Sequence, residues 1–317
     1  MTTIQTCRAD VPGTSPPQPN GSPRWFAGVR RWVRRGGVPT LLFALPMVLG
    51  FAYFSWWPII NGVILTFQET NLITTRWVGL DNIVRILNDP LLGQAALNTG
   101  YYAALGILFG FPVPLLAAAT ISEMRRGQRF ASIVAFLPVV IPPVVSILLW
   151  KRFYLPGPDG LINTIVGWFG VEPVGWLQEP ATGMPALVLA ATWAGAGSTV
   201  IIYLAAMTTI DRQLYDAAEV DGTSVWQRIW HVMLPQLRGT ILILMLLQVI
   251  AVFQVFTEPF LLTNGGPENR TLTILMLVYR RFLQGDYGGA AAISVLLAIA
   301  LAGLSGLYLW ATRRWAK

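Results

Sequence analysis

Charge is what this sequence has least of. Of its 317 residues only 12% are Asp, Glu, Lys or Arg, against about 25% in an ordinary soluble domain. With 54% hydrophobic residues and a mean hydropathy of +0.57, that scarcity places most of the chain in lipid. Cysteine and histidine are almost missing too. The single Cys7 cannot form an intramolecular disulfide, and with His231 as the one histidine no set of residues has zinc-ligand spacing. Lysine occurs only at Lys151 and Lys317, neither of which follows a glycine in a phosphate-binding loop. No metal or nucleotide site is therefore expected on this chain. No catalytic triad or nucleophile–base pair appears either, so the chain is not read as an enzyme.

The charge that is present is mostly basic, with a formal net charge of +7 and a pI near 9.9. Such a balance can signal nucleic acid, but in a lipid-embedded chain basic residues mark cytoplasmic loops, and no nucleic-acid partner is expected. A span needs about 20 mostly apolar residues. Six segments qualify, near 39–66, 95–121, 131–150, 183–208, 239–262 and 289–312. The expected architecture is an all-α polytopic membrane protein of six transmembrane helices. The second and third carry Pro112, Pro114, Pro138, Pro142 and Pro143, which a packed bundle tolerates where neighbours satisfy the freed carbonyls.

Residues 1–37, rich in Pro, Gly, Ser and Arg, read as a disordered basic cytoplasmic tail, and 38–317 as one membrane domain. The apolar run after the tail starts too late and is too long for a signal peptide, so it is read as an uncleaved first span. Fifteen of the 22 basic residues fall in the tail, in 122–130, in 209–238 and at the C-terminus. That asymmetry predicts both termini on the cytoplasmic side. Among the outer connections, Pro156-Gly157-Pro158-Asp159-Gly160 reads as a turn leading into a short helix.

One charged stretch interrupts the apolar pattern. Asp216-Ala217-Ala218-Glu219-Val220-Asp221-Gly222 is followed, after a spacer, by Val232-Met233-Leu234-Pro235. Asp211 is placed to cap a helix through Leu214, Ala217 and Ala218, Gly222 to close it in the left-handed conformation, and Ser224 with Gln227 to form a capping box for a second helix. That second helix is expected to end at Leu234-Pro235. Small Ala217 and Ala218 would let another surface approach, while Asp216 and Glu219 could meet basic groups on it. Taken alone, each residue also fits an ordinary capped helix lying on the membrane.

As a spaced pattern within 209–238, these residues resemble the cytoplasmic coupling loop of ATP-binding-cassette (ABC) importer permeases. The likeness extends over about residues 40–312. Asn98-Thr99-Gly100-Tyr101-Tyr102, Phe136-Leu137-Pro138 through Pro142-Pro143, Leu262-Thr263-Asn264-Gly265-Gly266-Pro267, and Tyr287-Gly288 with Ala290-Ala291 all look like the carbohydrate-uptake branch. Asp216 departs from the usual glutamate, and Trp193 lacks the lysine that often follows it. The resemblance is to the first permease of a pair, of the kind serving maltose, other oligosaccharides or glycerol 3-phosphate. It implies a type I ABC importer permease fold in a bacterial-type cytoplasmic membrane. It also implies a second six-span permease, two ABC ATPase subunits that hold ATP and Mg, and an external solute-binding protein. Asp216, Ala217, Ala218, Glu219, Gly222, Leu234 and Pro235 would then couple the chain to the ATPase. Asn264, Gly265, Gly266 and Pro267 would meet the binding protein, for which a plain turn is the competing reading.

Polar side chains in spans face the bundle interior. Asn98, Thr99, Tyr101, Tyr102, Trp193, Ser198, Thr199, Gln254, Thr257 and Glu258 are accordingly candidates to line a solute path, with helix-to-helix hydrogen bonding as the alternative for each. Gln254 and Glu258, four apart, are expected on one helical face. An ABC permease for a glycerol phosphate, amino acid or polyamine remains a competing reading. An ion-coupled secondary transporter is another, although that class needs more ionisable groups inside its spans than this sequence supplies.

Overall fold

Caps and prolines decide where the helices begin and where they bend. The computed structural model describes residues 37–71, 73–124 and 126–313. The expectations placed on the tail before Gly37, on Cys7, on Arg125 within the basic stretch 122–130 and on Lys317 lie outside them. Two units are distinguished, one ending at Ile60 and the other beginning at Asn61. The first holds α1 (Gly37–Phe51, with Pro46 inside it) and a π-helical turn at Ala52–Trp56, and α2 (Trp57–Leu65) runs across the division. Together Pro39–Leu65 is apolar and long enough to span.

After α2, in the second unit, comes an antiparallel hairpin, β1 (Gln68–Thr70) and β2 (Thr75–Trp77), registered by Gln68 opposite Trp77. Phe67 stacks on Trp77 with ring centres 5.7 Å apart. Helix α3 (Asp81–Leu87) follows. Its Asn82 donates to the carbonyls of Thr66 and Gln68 at 3.1 and 2.9 Å and so fastens the hairpin.

Helix α4 (Pro90–Leu105) starts five residues before the expected span because Asp89 caps it, accepting from the Leu91 amide at 2.9 Å, and Pro90 stands where no amide is needed. It runs through a π-turn at Gly106–Gly110 into α5 (Pro112–Ser122). Proline lacks an amide and presses on the carbonyl one turn back. The widened turn, closed by Phe111 N–H to Gly106 O at 3.0 Å, carries the helix past Pro112.

Helices α6 (Gln128–Val140) and α7 (Pro143–Phe153) bend by 98° at their junction. A residue before proline is driven out of the helical region. Both Ile141 (ψ 127°) and Pro142 (ψ 137°) precede a proline and are extended, so the third expected span is broken there. Helix α8 (Leu161–Gly167) is the short helix foreseen after the Pro156–Gly160 turn. Buried Asn163 organises this loop, donating to the carbonyls of Leu155, Gly157 and Val174 and accepting from Val174 N–H and Trp176 Nε1.

Helix α9 (Gly183–Met207) is the central strut. A Cβ on its Gly197 would stand 2.3 Å from the Ala135 carbonyl, so α6 and α9 touch backbone to backbone. Close approach of this kind matters in lipid, where association rests on van der Waals packing rather than hydrophobic burial. After α10 (Arg212–Val220) and α11 (Val225–Arg228), a π-turn at Ile229–Met233 joins α12 (Leu234–Phe253). Val225–Phe253 is thus one helix of 29 residues. Leu234-Pro235 does not end the second loop helix as expected. The π-turn before Pro235 absorbs the proline, and the fifth span begins well before residue 239.

That span also stops early, at Phe253. A π-turn at Pro259–Thr263, then α13 (Ile274–Leu283) and α14 (Tyr287–Thr312), complete the chain. Among the described residues, five helices are long and apolar enough to cross a membrane, and the bent pair α6–α7 makes a sixth if it counts as one span.

Two apolar clusters gather at one end of this unit, around Tyr154, Leu187 and Leu262 and around Ile86, Leu272 and Ile293. A third lies at the other end, around Ala119, Tyr203, Ile229 and Met233. Tyr308 OH donates to Leu242 O at 2.9 Å and ties α14 to α12.

Candidate functional site

At the end of the unit with the Tyr203 and Met233 cluster, α10 forms as its caps dictate. Asp211 accepts from Gln213 N–H at 3.0 Å, and Gly222 adopts φ +73°. The reciprocal Ser224–Gln227 capping box is present, with Gln227 Oε1 accepting from Ser224 N–H at 2.7 Å. Asp216, Ala217 and Glu219 are exposed. Ala218 is turned inward, only 8% exposed, and its carbonyl accepts from Thr223 Oγ1 at 2.7 Å. It therefore cannot present a small surface outward as expected. The outward knob is Ala217 together with Val220, an apolar side chain 87% exposed that sequence reasoning passed over.

The loop is held to the preceding helix by a charge pair. Arg228 Nη2 and Nε donate to Glu123 Oε2 at 2.5 and 3.2 Å, and Nη1 donates to Thr223 O at 3.4 Å. Both side chains of the pair are largely buried. Glu123 directly follows α5, so the pair joins the α10–α11 segment to the second long helix.

In the middle of the bundle, α4, α5, α9 and α12 enclose a cavity of about 490 Å³. Its polar lining comprises Tyr102, Thr192, Thr199, Gln248, Gln254, Thr257 and Glu258. Gly106 and Gly110 of the π-turn form part of its wall. A Cβ on Gly106 would lie 2.9 Å from Val252 Cγ1, and one on Gly110 3.1 Å from Thr192 Oγ1. Glycine at these positions lets α9 and α12 reach the turn.

The expected path residues divide. Tyr102, Gln254 and Glu258 line the cavity, but not because 254 and 258 share a helical face. The helix ends at Phe253, before either of them, and the backbone between Gln254 and Thr257 is irregular. Trp193 instead packs edge-on against Trp150 at 5.8 Å, and exposed Ser198 hydrogen-bonds its own Gly195 carbonyl at 2.9 Å. Helical rotation explains the miss. Thr192, Gly195 and Thr199, spaced at i, i+3 and i+7, form the cavity-facing stripe, from which Trp193 and Ser198 are turned away. Asn98 faces the loop after α12, donating to Asn269 O and Leu272 O at 2.7 and 2.9 Å. Gln248 was missed outright, since one glutamine in an apolar run does not announce which face it takes.

That loop is rigidly made. Asn264 (φ 49°), Gly265 (φ 83°), Glu268 and Asn269 all have positive φ, and the Gly266–Pro267 bond is cis. Arg280 donates to Asn264 O and to Asn269 Oδ1, both at 2.9 Å. Thr271 Oγ1 donates to Gly266 O at 2.8 Å. Gly265 is buried beneath Arg280, where a Cβ would come within 2.7 Å of the guanidinium. Of the four expected docking residues, Asn264 is exposed, and Gly266 and Pro267 are half-buried.

At the same end, a second network joins α3, α4, α13 and α14. Arg85 donates to both Asp286 oxygens at 2.7 and 2.8 Å. Arg281 pairs with Asp89 and approaches Asp286 at 3.6 Å. Asp286 also caps α14, accepting from Gly289 N–H at 2.9 Å. The Arg85 hydrogen bond holds its carboxyl below the ordinary carboxylate pKa.

Comparison with known proteins places this arrangement. The family described as "Binding-protein-dependent transport system inner membrane component" matches residues 110–317. The lactose transport system permease protein LacF of Rhizobium radiobacter is 31% identical over 281 residues, which is 86% of this chain and 93% of that protein. A chain of a bacterial ABC transporter involved in the import of the acidic polysaccharide alginate superposes with a TM-score of 0.79 at 28% identity, covering 93% of this chain and all of that one. The bacterial alginate transporter in complex with its alginate pentasaccharide-bound periplasmic protein gives the same TM-score over 91% of this chain and 99% of that one.

Proposed function

The chain belongs to the family of binding-protein-dependent transport system inner membrane components, and on that premise we propose that it is the permease subunit of an ATP-driven sugar importer. It works as a multi-pass protein of the cytoplasmic membrane. The sugar class follows from relatives that carry lactose and alginate.

The observation that carries the reading is the pairing of two features on one scaffold. A capped, outward-facing helix α10 ends the bundle at one side, and a largely apolar cavity set with several polar side chains opens between α4, α9 and α12. The exposed face of α10, with Asp216, Ala217, Glu219 and Val220, docks on one of two ATPase subunits, which supply the ATP and Mg chemistry. Gly222 sets the turn that aims α10. Leu234 and Pro235 contribute through the π-turn that continues α11 into the fifth span. The cavity is this chain's half of the solute path, completed by a second six-span permease. The Asn264–Pro267 loop, held by Arg280, faces the external solute-binding protein; the alginate transporter that the chain resembles is likewise in complex with a periplasmic protein. Six spans with both termini inside match the basic-residue asymmetry.

The test is uptake by proteoliposomes. The chain reconstituted with its partner permease, ATPases and loaded binding protein should accumulate sugar only when ATP is inside with the ATPases. The chain alone should hydrolyse no ATP. Hydrolysis by the isolated chain, or uptake indifferent to ATP, would overturn the proposal.

A further inference from the structure

We infer that the wall this chain gives to the path accepts uncharged saccharides and disfavours uronates, and that Glu258 sets this preference; the inference rests on reading the cavity as the solute path. The cavity's lining holds one ionisable carboxylate, Glu258, and no Lys, Arg or His. The other polar groups, on Thr192, Thr199, Gln248, Gln254 and Thr257, are neutral donors and acceptors suited to hydroxyls. Tyr102, Phe111 and Phe256 add aromatic surface for the apolar faces of sugar rings.

Three arginines near the Asn264–Asn269 loop are paired away from the cavity. Arg280 holds the Asn264 and Asn269 groups, and Arg85 and Arg281 pair with Asp286 and Asp89. None lines the cavity. A neutral sugar can donate hydroxyl hydrogens to the carboxyl oxygens of Glu258. A uronate brings a second carboxylate to a wall with no cation. With Glu258 ionised, two like charges about 5 Å apart at an effective dielectric near 20 repel strongly enough to weaken binding by on the order of a hundredfold. The alginate transporter shares the fold while carrying an acidic polysaccharide. Likeness of fold therefore leaves the charge of the cargo open, and the cavity chemistry decides it.

Binding is measured on the complete transporter in lipid nanodiscs, without binding protein. Saturation-transfer NMR reads a panel of neutral disaccharides (lactose, maltose, arabinobiose) against digalacturonate. The wild type should bind at least one neutral disaccharide ten times or more tighter than digalacturonate. Glu258→Gln should narrow that ratio, and Glu258→Lys should invert it. Equal binding of neutral and acidic sugars by the wild type, or a ratio untouched by both variants, overturns the inference. A cavity-filling Gln248→Trp separates the two levels. If it abolishes binding and uptake while charge makes no difference, the path reading survives and the charge preference falls. If uptake survives Gln248→Trp, or no sugar binds the wild type, the path reading falls and the inference with it.

Discussion

At Gly222, φ is +73° and nothing stands within 4 Å of where a Cβ would go. A side chain there meets no clash and pays only the left-handed backbone strain, about 1–2 kcal/mol. Gly222→Ala should therefore leave membrane insertion normal and lower uptake through a misaimed α10, which a transport assay at equal membrane protein would read. The two neighbouring alanines should behave differently, as their exposure differs. Ala217→Trp, on the outward face, should give a folded protein that no longer retains its ATPases on co-purification. Ala218→Trp should lower the yield of folded protein itself, since that side chain is turned into the chain. Equal yields and equal ATPase retention in the two variants would contradict this division of roles. Sequence alone placed the caps Asp211, Ser224, Gln227 and Gly222 well, because each has a local signature. It could not say which alanine faces out, because that depends on the packing of a nine-residue helix against distant parts of the chain.

Between elements, ion pairs do the joining. The Glu123–Arg228 pair binds the α10–α11 segment to the end of α5, and α4–α5 carries the π-turn that walls the cavity. Glu123→Gln or Arg228→Gln should lower uptake per ATP hydrolysed while ATPase subunits stay bound, and the exchanged pair Glu123→Arg with Arg228→Glu should recover part of it. Unaltered coupling ratios in both single variants would reduce the pair to a surface contact.

The Arg85–Asp286 pair makes a pH prediction. Because Arg85 depresses the Asp286 pKa in the folded protein, its stabilising contribution is present above the unfolded-state carboxylate pKa. It is lost as pH falls through the lower folded value, below about pH 4. Arg85 is about half exposed, so solvent screening keeps the effect small. In acid thermal unfolding, Asp286→Asn, which keeps an acceptor for the α14 cap, should remove this part of the acid sensitivity. Identical acid profiles for wild type and variant would count against it.

Elements also show where sequence patterns fail. Thr192 and Thr199 belong to the cavity while Trp193 and Ser198 do not, a distinction of one helical face. Gln254 and Glu258 meet in the cavity because the fifth helix stops at Phe253, which no propensity near Gln254 announces.

For the whole chain, the apolar runs were legible as spans since roughly 20 residues are needed to cross lipid, and four of the six were found nearly at their observed limits. The fifth was misplaced because Leu234-Pro235 looks like a stop, whereas a π-turn carries the helix through it. The third was recognised as proline-broken, but a bend of 98° follows from the successive prolines and cannot be read from hydropathy. The family resemblance was legible because its motifs sit at the turns and caps that shape the loops, and those shapes are made by few residue types.

The central claim is that ATP bound elsewhere drives solute through this chain by way of α10. Its most direct measurement is sugar uptake into proteoliposomes holding the full complex, with ATP hydrolysis followed in parallel, for wild type and Ala217→Trp. The account predicts ATP-dependent uptake by the wild type, and a variant that inserts normally but neither retains the ATPase nor transports. A variant that transports at the wild-type rate with its ATPase attached would show that α10 is only a surface helix.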